Sequence, residues 1–327
     1  MASGSSQIRV QPFTGYRNAD RLRISARVLR GSPPDFTPHG LLGTIRTMAA
    51  LYASREVANI PVELSLAGKV AGQSISDEEG FVHFDVPSAS PLPTRLAWDT
   101  ASLHWDSHGQ ANQIDGRVLT PAHNAQIGII SDIDDTILET GITGSAKAIL
   151  RNAHRIFAQL PQDRKTVPGA AEFFESLTKS GKADERACFY VSSSPWNLYP
   201  YLRAYKELRE LPSGPLMLRD WGLSRATLGS NSHGTHKTAA ILQLLSDFPQ
   251  KRFVLIGDDT QRDLAAFAGI VEAQPKRIAA VFVRRAAKLG SIDEDYARTV
   301  MDAHTMPFWM GEDFAGAHAL LAQTELA

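Results

Sequence analysis

Four short apolar runs in the second part of the chain constrain its fold more than any other feature. They span residues 127–130, 188–191, 253–256 and 278–283. Each is rich in β-branched or aromatic residues and too short for a helix of the usual length, so each reads as a strand buried on both faces. Helix-forming stretches separate them, around 146–159, 169–180, 198–208, 238–245 and 264–273. Such alternation predicts an α/β fold, a doubly wound parallel sheet of Rossmann-like form.

The chain before this region is patterned differently. Leu22, Ile24, Ala26 and Val28 alternate with Arg21, Arg23, Ser25 and Arg27, the period of a half-buried strand. Val62, Leu64 and Leu66 repeat the pattern, as do Val82, Phe84 and Val86 after the turn Asp77-Glu78-Glu79-Gly80. Leu96 and Trp98, then Leu103 and Trp105, suggest a hairpin or two adjoining strands. Residues 41–53 have helical composition, with Leu41, Leu42, Ile45, Met48 and Leu51 as the apolar positions. We expect a smaller β-sandwich with a helical insertion over 1–124, transthyretin-like or Ig-like, its role unassigned. The α/β domain is expected over 125–327, with Pro121-Ala122-His123-Asn124 as the junction.

Composition sets the remaining bounds. The 327 residues are 43 % hydrophobic and carry a net charge of −1, so nothing draws the chain as a whole toward nucleic acid. The single cysteine, Cys188, rules out a disulfide within the chain and reads as a small buried hydrophobe. Cysteine poverty fits a reducing compartment. The polar start lacks a signal-peptide pattern, and no apolar run approaches the roughly 20 residues of a membrane span. A soluble, cytoplasmic protein without a transmembrane segment is expected, its oligomeric state open.

The chemistry gathers where the predicted strands end. Asp132-Ile133-Asp134-Asp135-Thr136 follows the first run directly. Burying three carboxylates there is costly without a counter-ion, and Mg²⁺ prefers a few carboxylates with phosphate oxygens. Asp132 is the natural nucleophile and Asp134 the acid/base, although the sharp bend leaves open that one ligates through its backbone carbonyl. After the second run comes Ser192-Ser193-Ser194-Pro195-Trp196-Asn197. Ser192 reads either as an anion-binding group or as a helix cap, with Ser193 and Asn197 as further substrate-binding candidates. Lys237 can pair with Asp132 and a transferring phosphoryl group. His233 and His236 have a metal-like spacing without a supporting ligand cluster. The third run feeds Gly257-Asp258-Asp259-Thr260-Gln261-Arg262-Asp263. There Asp258 is the candidate third metal ligand, Asp259 a support through water, and Asp263 a group that orients the loop or Lys237. Arg219 either binds a phosphate oxygen or pairs with Asp220.

These pieces, in this order, resemble the haloacid dehalogenase superfamily of aspartyl phosphatases. The resemblance assigns Asp132 as nucleophile and Asp134 as acid/base, and matches Ser192, Lys237 and Asp258 to the family's strand-end Ser or Thr, its Lys and its late acidic residue. Ser131-Asp132-Ile133-Asp134-Asp135-Thr136, Tyr190-Val191-Ser192-Ser193-Ser194-Pro195-Trp196 and Gly214-Pro215-Leu216-Met217-Leu218-Arg219-Asp220 resemble the actin-patch-type phosphatidate phosphatase catalytic domain, itself distantly lipin-like. That likeness covers about 126–285 and departs from the family at Asp259-Thr260, where Ser-Gly is expected, and at Leu264, where Pro is usual.

What the resemblance implies is a Mg²⁺-dependent hydrolase converting phosphatidate to diacylglycerol and phosphate through an aspartyl-phosphate, in peripheral contact with membranes. The lengths between motifs leave little room for a large cap, which suits a bulky or surface-bound phosphate. Trp196, Tyr199 and Tyr201 read as interface aromatics or as helix packing; Met306-Pro307-Phe308-Trp309-Met310 reads as a docked tail or a membrane-touching edge. Two alternatives stand beside the lipid reading. One is the same chemistry on a protein, sugar or nucleotide phosphate. The other is a binding protein in which the phosphatase domain serves as scaffold.

Overall fold

The structure is a computed structural model that describes residues 7–37, 40–53, 55–88, 90–138, 159–179, 185–219, 232–260, 262–286, 292–324 and 326. The chain divides into two compact units, Met1–His123 and Asn124–Ala327.

In the first unit nine strands join in one hydrogen-bonded set. The long strand β3 (Arg21–Arg30) pairs antiparallel with β1 (Ile8–Pro12) and β2 (Gly15–Arg17) on one side. On its other side lie β4 (Arg55–Glu56) and β7 (Phe81–Pro87). From β2 the path runs through β9 (Gln110–Thr120) and β8 (Ala97–Ser107) to β5 (Pro61–Leu66) and β6 (Lys69–Ile75). The alternating apolar positions point inward: Leu22, Ile24, Val62, Leu64, Phe84 and Leu103 share one core. The two ends of the path come together, since a Cβ on Gly72 of β6 would lie 3.0 Å from Val86 of β7. The Asp77 turn closes on its own side chain, which accepts from the amides of Glu79 and Phe81. Gly80 holds φ +78° there, and a Cβ would lie 2.5 Å from the Val28 carbonyl. The helix α1 (Gly40–Tyr52) buries Met48 and Leu51.

One expectation is corrected here. Trp98 and Leu103 do not mark two strands but belong to the single strand β8. Ala101, Leu103 and Trp105 line its buried face. Trp98, an odd number of residues away, points to the other face and carries the Arg117 guanidinium 4.1 Å from its ring centre. The partner strand β9 had no counterpart among the expected strands.

The second unit is built on a six-stranded parallel sheet in the order β12-β11-β10-β13-β14-β15. Four of its strands contain the four apolar runs: β10 (Ile127–Ser131), β11 (Cys188–Pro195), β13 (Arg252–Asp258) and β14 (Ile278–Arg284). The sheet ends are β12 (Leu216–Arg219) and β15 (Phe308–Gly311). The tail motif is therefore docked as an edge strand, pairing parallel with β14. Helices α2 (Ala170–Thr178), α3 (Tyr199–Leu208), α4 (Ser232–Asp247), α5 (Asp263–Ala273), α6 (Ile292–Ala303) and α7 (Ala317–Ala322) are described. The helix α4 starts six residues earlier than the apolar pattern predicted. The helical stretch expected at 146–159 lies almost wholly outside the described residues. No helix among the described residues is long and apolar enough to cross a membrane.

The strand order determines where a site can form. The chain builds outward from β10 to β11 and β12, then returns to β13 on the other flank of β10. A crevice opens where the order reverses, at the carboxyl end of β10. Asp132 is the next residue.

Candidate active site

Asp132 extends the ladder by one bond, its amide donating to the Ile256 carbonyl at 2.8 Å. The chain then turns sharply. Asp135 adopts φ +57°, its amide donates to the Leu138 carbonyl, and the Arg284 guanidinium at the end of β14 donates to its carbonyl at 2.7 Å. Ile133 is fully buried beneath the turn. This bend separates the two motif carboxylates. Asp132 faces β13 and α4, whereas the Asp134 side chain faces β11.

Around Asp132 the charge is dense and dry. Asp132, Lys237, Asp258 and Asp263 are each at most 3 % exposed. The Lys237 ammonium lies 2.9 Å from Asp132 Oδ1 and 2.5 Å from Asp263 Oδ1. The Thr136 hydroxyl sits between the other carboxylates, 3.0 Å from Asp132 Oδ2 and 3.3 Å from Asp258 Oδ2. Asp258 Oδ1 accepts from both the amide and the hydroxyl of Thr260. Asp263 Oδ2 accepts from the Asp258 amide. Gly257 leaves room for this arrangement, because a Cβ there would stand 2.5 Å from Asp263 Oδ2.

Burial raises the Asp132 carboxyl well above the ordinary carboxylate range; Lys237 opposes that shift, while Asp263, Asp258 and Asp134 add to it. Burial likewise pushes Asp263 up to about 6 against the pull of Lys237. For Lys237 burial works against the charge, yet Asp132, Asp263 and Asp258 together hold it above the usual lysine value. Three buried carboxylates thus share one ammonium, a deficit of positive charge that a divalent cation would fill.

Oxygens from Asp132, Asp258 and Asp263 all lie within 4.8 Å of one another. Both Asp263 oxygens are committed, to Lys237 and to the Asp258 amide. Asp132 Oδ2 and Asp258 Oδ2 share only the Thr136 hydroxyl in this group of bonds, which makes them the pair best placed to take a cation. The Asp134 carboxylate stands outside that group. It is half-buried, and Asp134 Oδ2 accepts from the Ser192 hydroxyl at 2.6 Å and the Ser194 hydroxyl at 2.8 Å.

The other candidates fall nearby in the chain's ordering of strand ends. Ser193 is buried, and Asn197 is half-buried in the turn between β11 and α3. Arg219 closes β12, opposite Pro195. Half-buried His236 accompanies it: burial lowers its pKa, a hydrogen bond with the Met217 backbone opposes this, and Arg219 and Lys237 lower it further. The side chain of His233, and Asp220, lie outside what is described. Asp259 braces the loop, its carboxylate accepting from the Ala286 amide at 2.8 Å. Tyr199 and Tyr201 are buried, so they pack inside the unit, while Trp196 is half-buried with its ring 6.1 Å from that of Tyr199. Cys188 is a buried thiol whose pKa burial pushes up to about 11. Thr136, Thr260 and Ser194 were not singled out from sequence. For Ser194 the usable signal was its spacing, two residues past Ser192 on a strand and so on the same face.

Residues 127–285 match the family model of the catalytic domain of phosphatidate phosphatase APP1. The APP1-type stretch contains all of Asp132, Asp134, Ser192, Ser194, Lys237, Asp258 and Asp263. Phosphatidate phosphatase APP1 of Saccharomyces cerevisiae is 33 % identical over 158 residues, which are 48 % of this chain and 26 % of that protein. An uncharacterized protein of Schizosaccharomyces pombe is 26 % identical over 160 residues, 48 % of this chain and 25 % of its own length. The chain thus spans about a quarter of the length of these two relatives. Among solved structures, a β-glucuronidase of Parabacteroides merdae aligns over 93 % of this chain and 38 % of its own, at 6 % identity and a TM-score of 0.26. A likeness of that size carries no argument.

Proposed function

We propose that the second unit is a Mg²⁺-dependent phosphatidate phosphatase working through an aspartyl-phosphate. The observation that carries this reading is the division of labour between two carboxylates on an APP1-type stretch. Asp132 is buried against Lys237, and Asp134 is held apart on the serines of β11. Asp132 attacks phosphorus; the new Asp132 oxygen–phosphorus bond forms as the ester bond to the glycerol oxygen breaks. Asp134 gives its proton to the departing oxygen and later takes one from the water that releases phosphate. Ser192, Ser193, Asn197 and Arg219 bind the phosphoryl oxygens, and Lys237 neutralises charge between nucleophile and phosphate. Asp132 and Asp258, with Asp134 through its backbone carbonyl, would hold Mg²⁺, which would supply positive charge to the phosphoryl oxygens.

The lipid substrate is supported by the APP1 likeness, and the half-buried Trp196 beside the serines suits peripheral contact with a bilayer. A cytoplasmic site of action fits a chain with one buried cysteine. We read the first unit as a sandwich-like sheet folded over its own core, supported by the approach of β6 to β7, and the haloacid dehalogenase superfamily as the parent of the second.

The test offers the full chain mixed-micelle phosphatidate, lysophosphatidate and soluble phosphomonoesters, with Mg²⁺ or with EDTA. Turnover of phosphatidate only with Mg²⁺ is expected. Cleavage of soluble esters alone would overturn the lipid assignment, and no turnover at all would leave the scaffold reading in its place.

A further inference from the structure

We infer that Ser194 is the positioning residue for Asp134, holding it in place while phosphoryl transfer occurs. This rests on the phosphatase reading above and adds to it a residue that reading leaves without a role.

Proton counting sets the two serines apart. The Ser192 hydroxyl has one proton, and it donates that proton to Asp134 Oδ2 at 2.6 Å. Its oxygen accepts from the Ser194 amide at 2.9 Å, which fixes the hydroxyl's direction. Ser192 is fully buried and faces the crevice end of β11. If Ser192 turns its proton to an arriving phosphoryl oxygen, it releases Asp134. The Ser194 hydroxyl, 2.8 Å from the same oxygen, has no such second duty and keeps the carboxyl in place.

Both hydroxyls converge on Oδ2, so that oxygen is an acceptor. When Asp134 is protonated its proton therefore sits on Oδ1. Ser194 thus decides which oxygen presents the proton. In the transfer step the Asp132 oxygen–phosphorus bond forms and the phosphorus–leaving-oxygen bond breaks. The leaving oxygen takes the pair of electrons and the proton from Asp134 Oδ1. A misaimed Asp134 slows this step only to the extent that the leaving oxygen needs the proton. An alkoxide needs it; a nitrophenolate does not.

The experiment measures kcat/KM of the full chain with Mg²⁺ on dioctanoyl phosphatidate and glycerol 3-phosphate, against p-nitrophenyl phosphate. Wild type, Ser194→Ala and Ser194→Thr are compared, with thermal melts to check folding. General acids contribute on the order of 10²–10⁴-fold, and loss of one of two holding bonds should forfeit part of that. We expect Ser194→Ala to lose about tenfold more on the alkyl esters than on the activated ester, and Ser194→Thr, which keeps the hydroxyl, to recover most of the difference. Equal losses on both ester types, or a threonine variant no better than alanine, would overturn the positioning role. A wild-type chain that cleaves none of these esters would instead overturn the phosphatase reading.

Discussion

Replacing Lys237 with methionine should destabilise the second unit strongly when Mg²⁺ is absent. Methionine is close in volume, so the change mainly deletes charge. At 2.9 Å and 2.5 Å from Asp132 and Asp263, an effective dielectric of about 20 gives gross attractions of about 6 and about 7 kcal/mol. Most of that is offset in the variant. The lysine no longer has to be desolvated, which returns several kcal/mol, and a neighbouring carboxyl can take up a proton. Removing one partner of a buried pair typically leaves a net loss of about 3–5 kcal/mol, and three carboxylates remain here with no cation. The free energy of opening is read from hydrogen exchange of β10 and α4 amides, in EDTA and with Mg²⁺. We expect the full loss in EDTA and a smaller one with Mg²⁺, since the ion would replace part of the missing charge. A loss in EDTA below about 0.5 kcal/mol, the scale of an ordinary surface substitution, would refute the claim that this ammonium holds the acidic group together.

Three further outcomes follow from the same geometry. Asp132→Asn should cut turnover by at least about 10³-fold while circular dichroism and melting temperature hold or rise, because one of three clustered carboxylates is gone; retained activity would sink the nucleophile assignment. Gly257→Ala should cost about 1–3 kcal/mol in urea denaturation, because its Cβ would press on Asp263 and on Phe267 at 2.7 Å; an unchanged midpoint would mean that Asp263 can move freely. Lys206 is buried over the Tyr190 ring and donates to the Gly214 carbonyl, and burial lowers its pKa to about 7 against the opposing pull of Cys188 and Glu207. The unfolded chain then binds the extra proton between about pH 7 and about pH 10, so stability should rise with pH across that window by up to about 1.4 kcal/mol per unit. Lys206→Met should flatten the rise, and parallel wild-type and variant curves between pH 7 and pH 9 would contradict it.

The parallel sheet was legible because strands covered on both faces need apolar residues at consecutive positions. Ile127 to Ile130 and Phe253 to Ile256 announce themselves in that way. The edges were harder to read. The strand β12 is four residues long, and β15 mixes Phe308 and Trp309 with Gly311. The strand β9 was invisible because its first six residues carry one large apolar side chain, the exposed Ile114, and only Val118 to Thr120 are buried in succession. The two motif aspartates illustrate a similar limit. Two-residue spacing predicts one face only while the chain stays extended, and the left-handed Asp135 ends that condition next to Asp134. Asp263 was legible as a group that orients the loop or Lys237, and it does both, taking the Lys237 ammonium on Oδ1 and the Asp258 amide on Oδ2. Its contact with Lys237 depends on α4 and α5 bringing residues 26 positions apart together under Gly257.

The edge strand β15 also bears on where this unit can be cut. The APP1-type match stops at residue 285, one position beyond β14. A polypeptide ending there would lack the strand that pairs with residues Val281 to Arg284. It would also lack Phe314, which stacks on Phe173 at 4.9 Å, and Trp309, whose ring lies near Phe282. The bared edge would be a flat row of unpaired amides and carbonyls flanked by valine and phenylalanine, a template for sticking to another copy. Homology thus outlines a shorter segment than the one that covers this edge, and during synthesis β14 must wait for about two dozen further residues before its open side is covered.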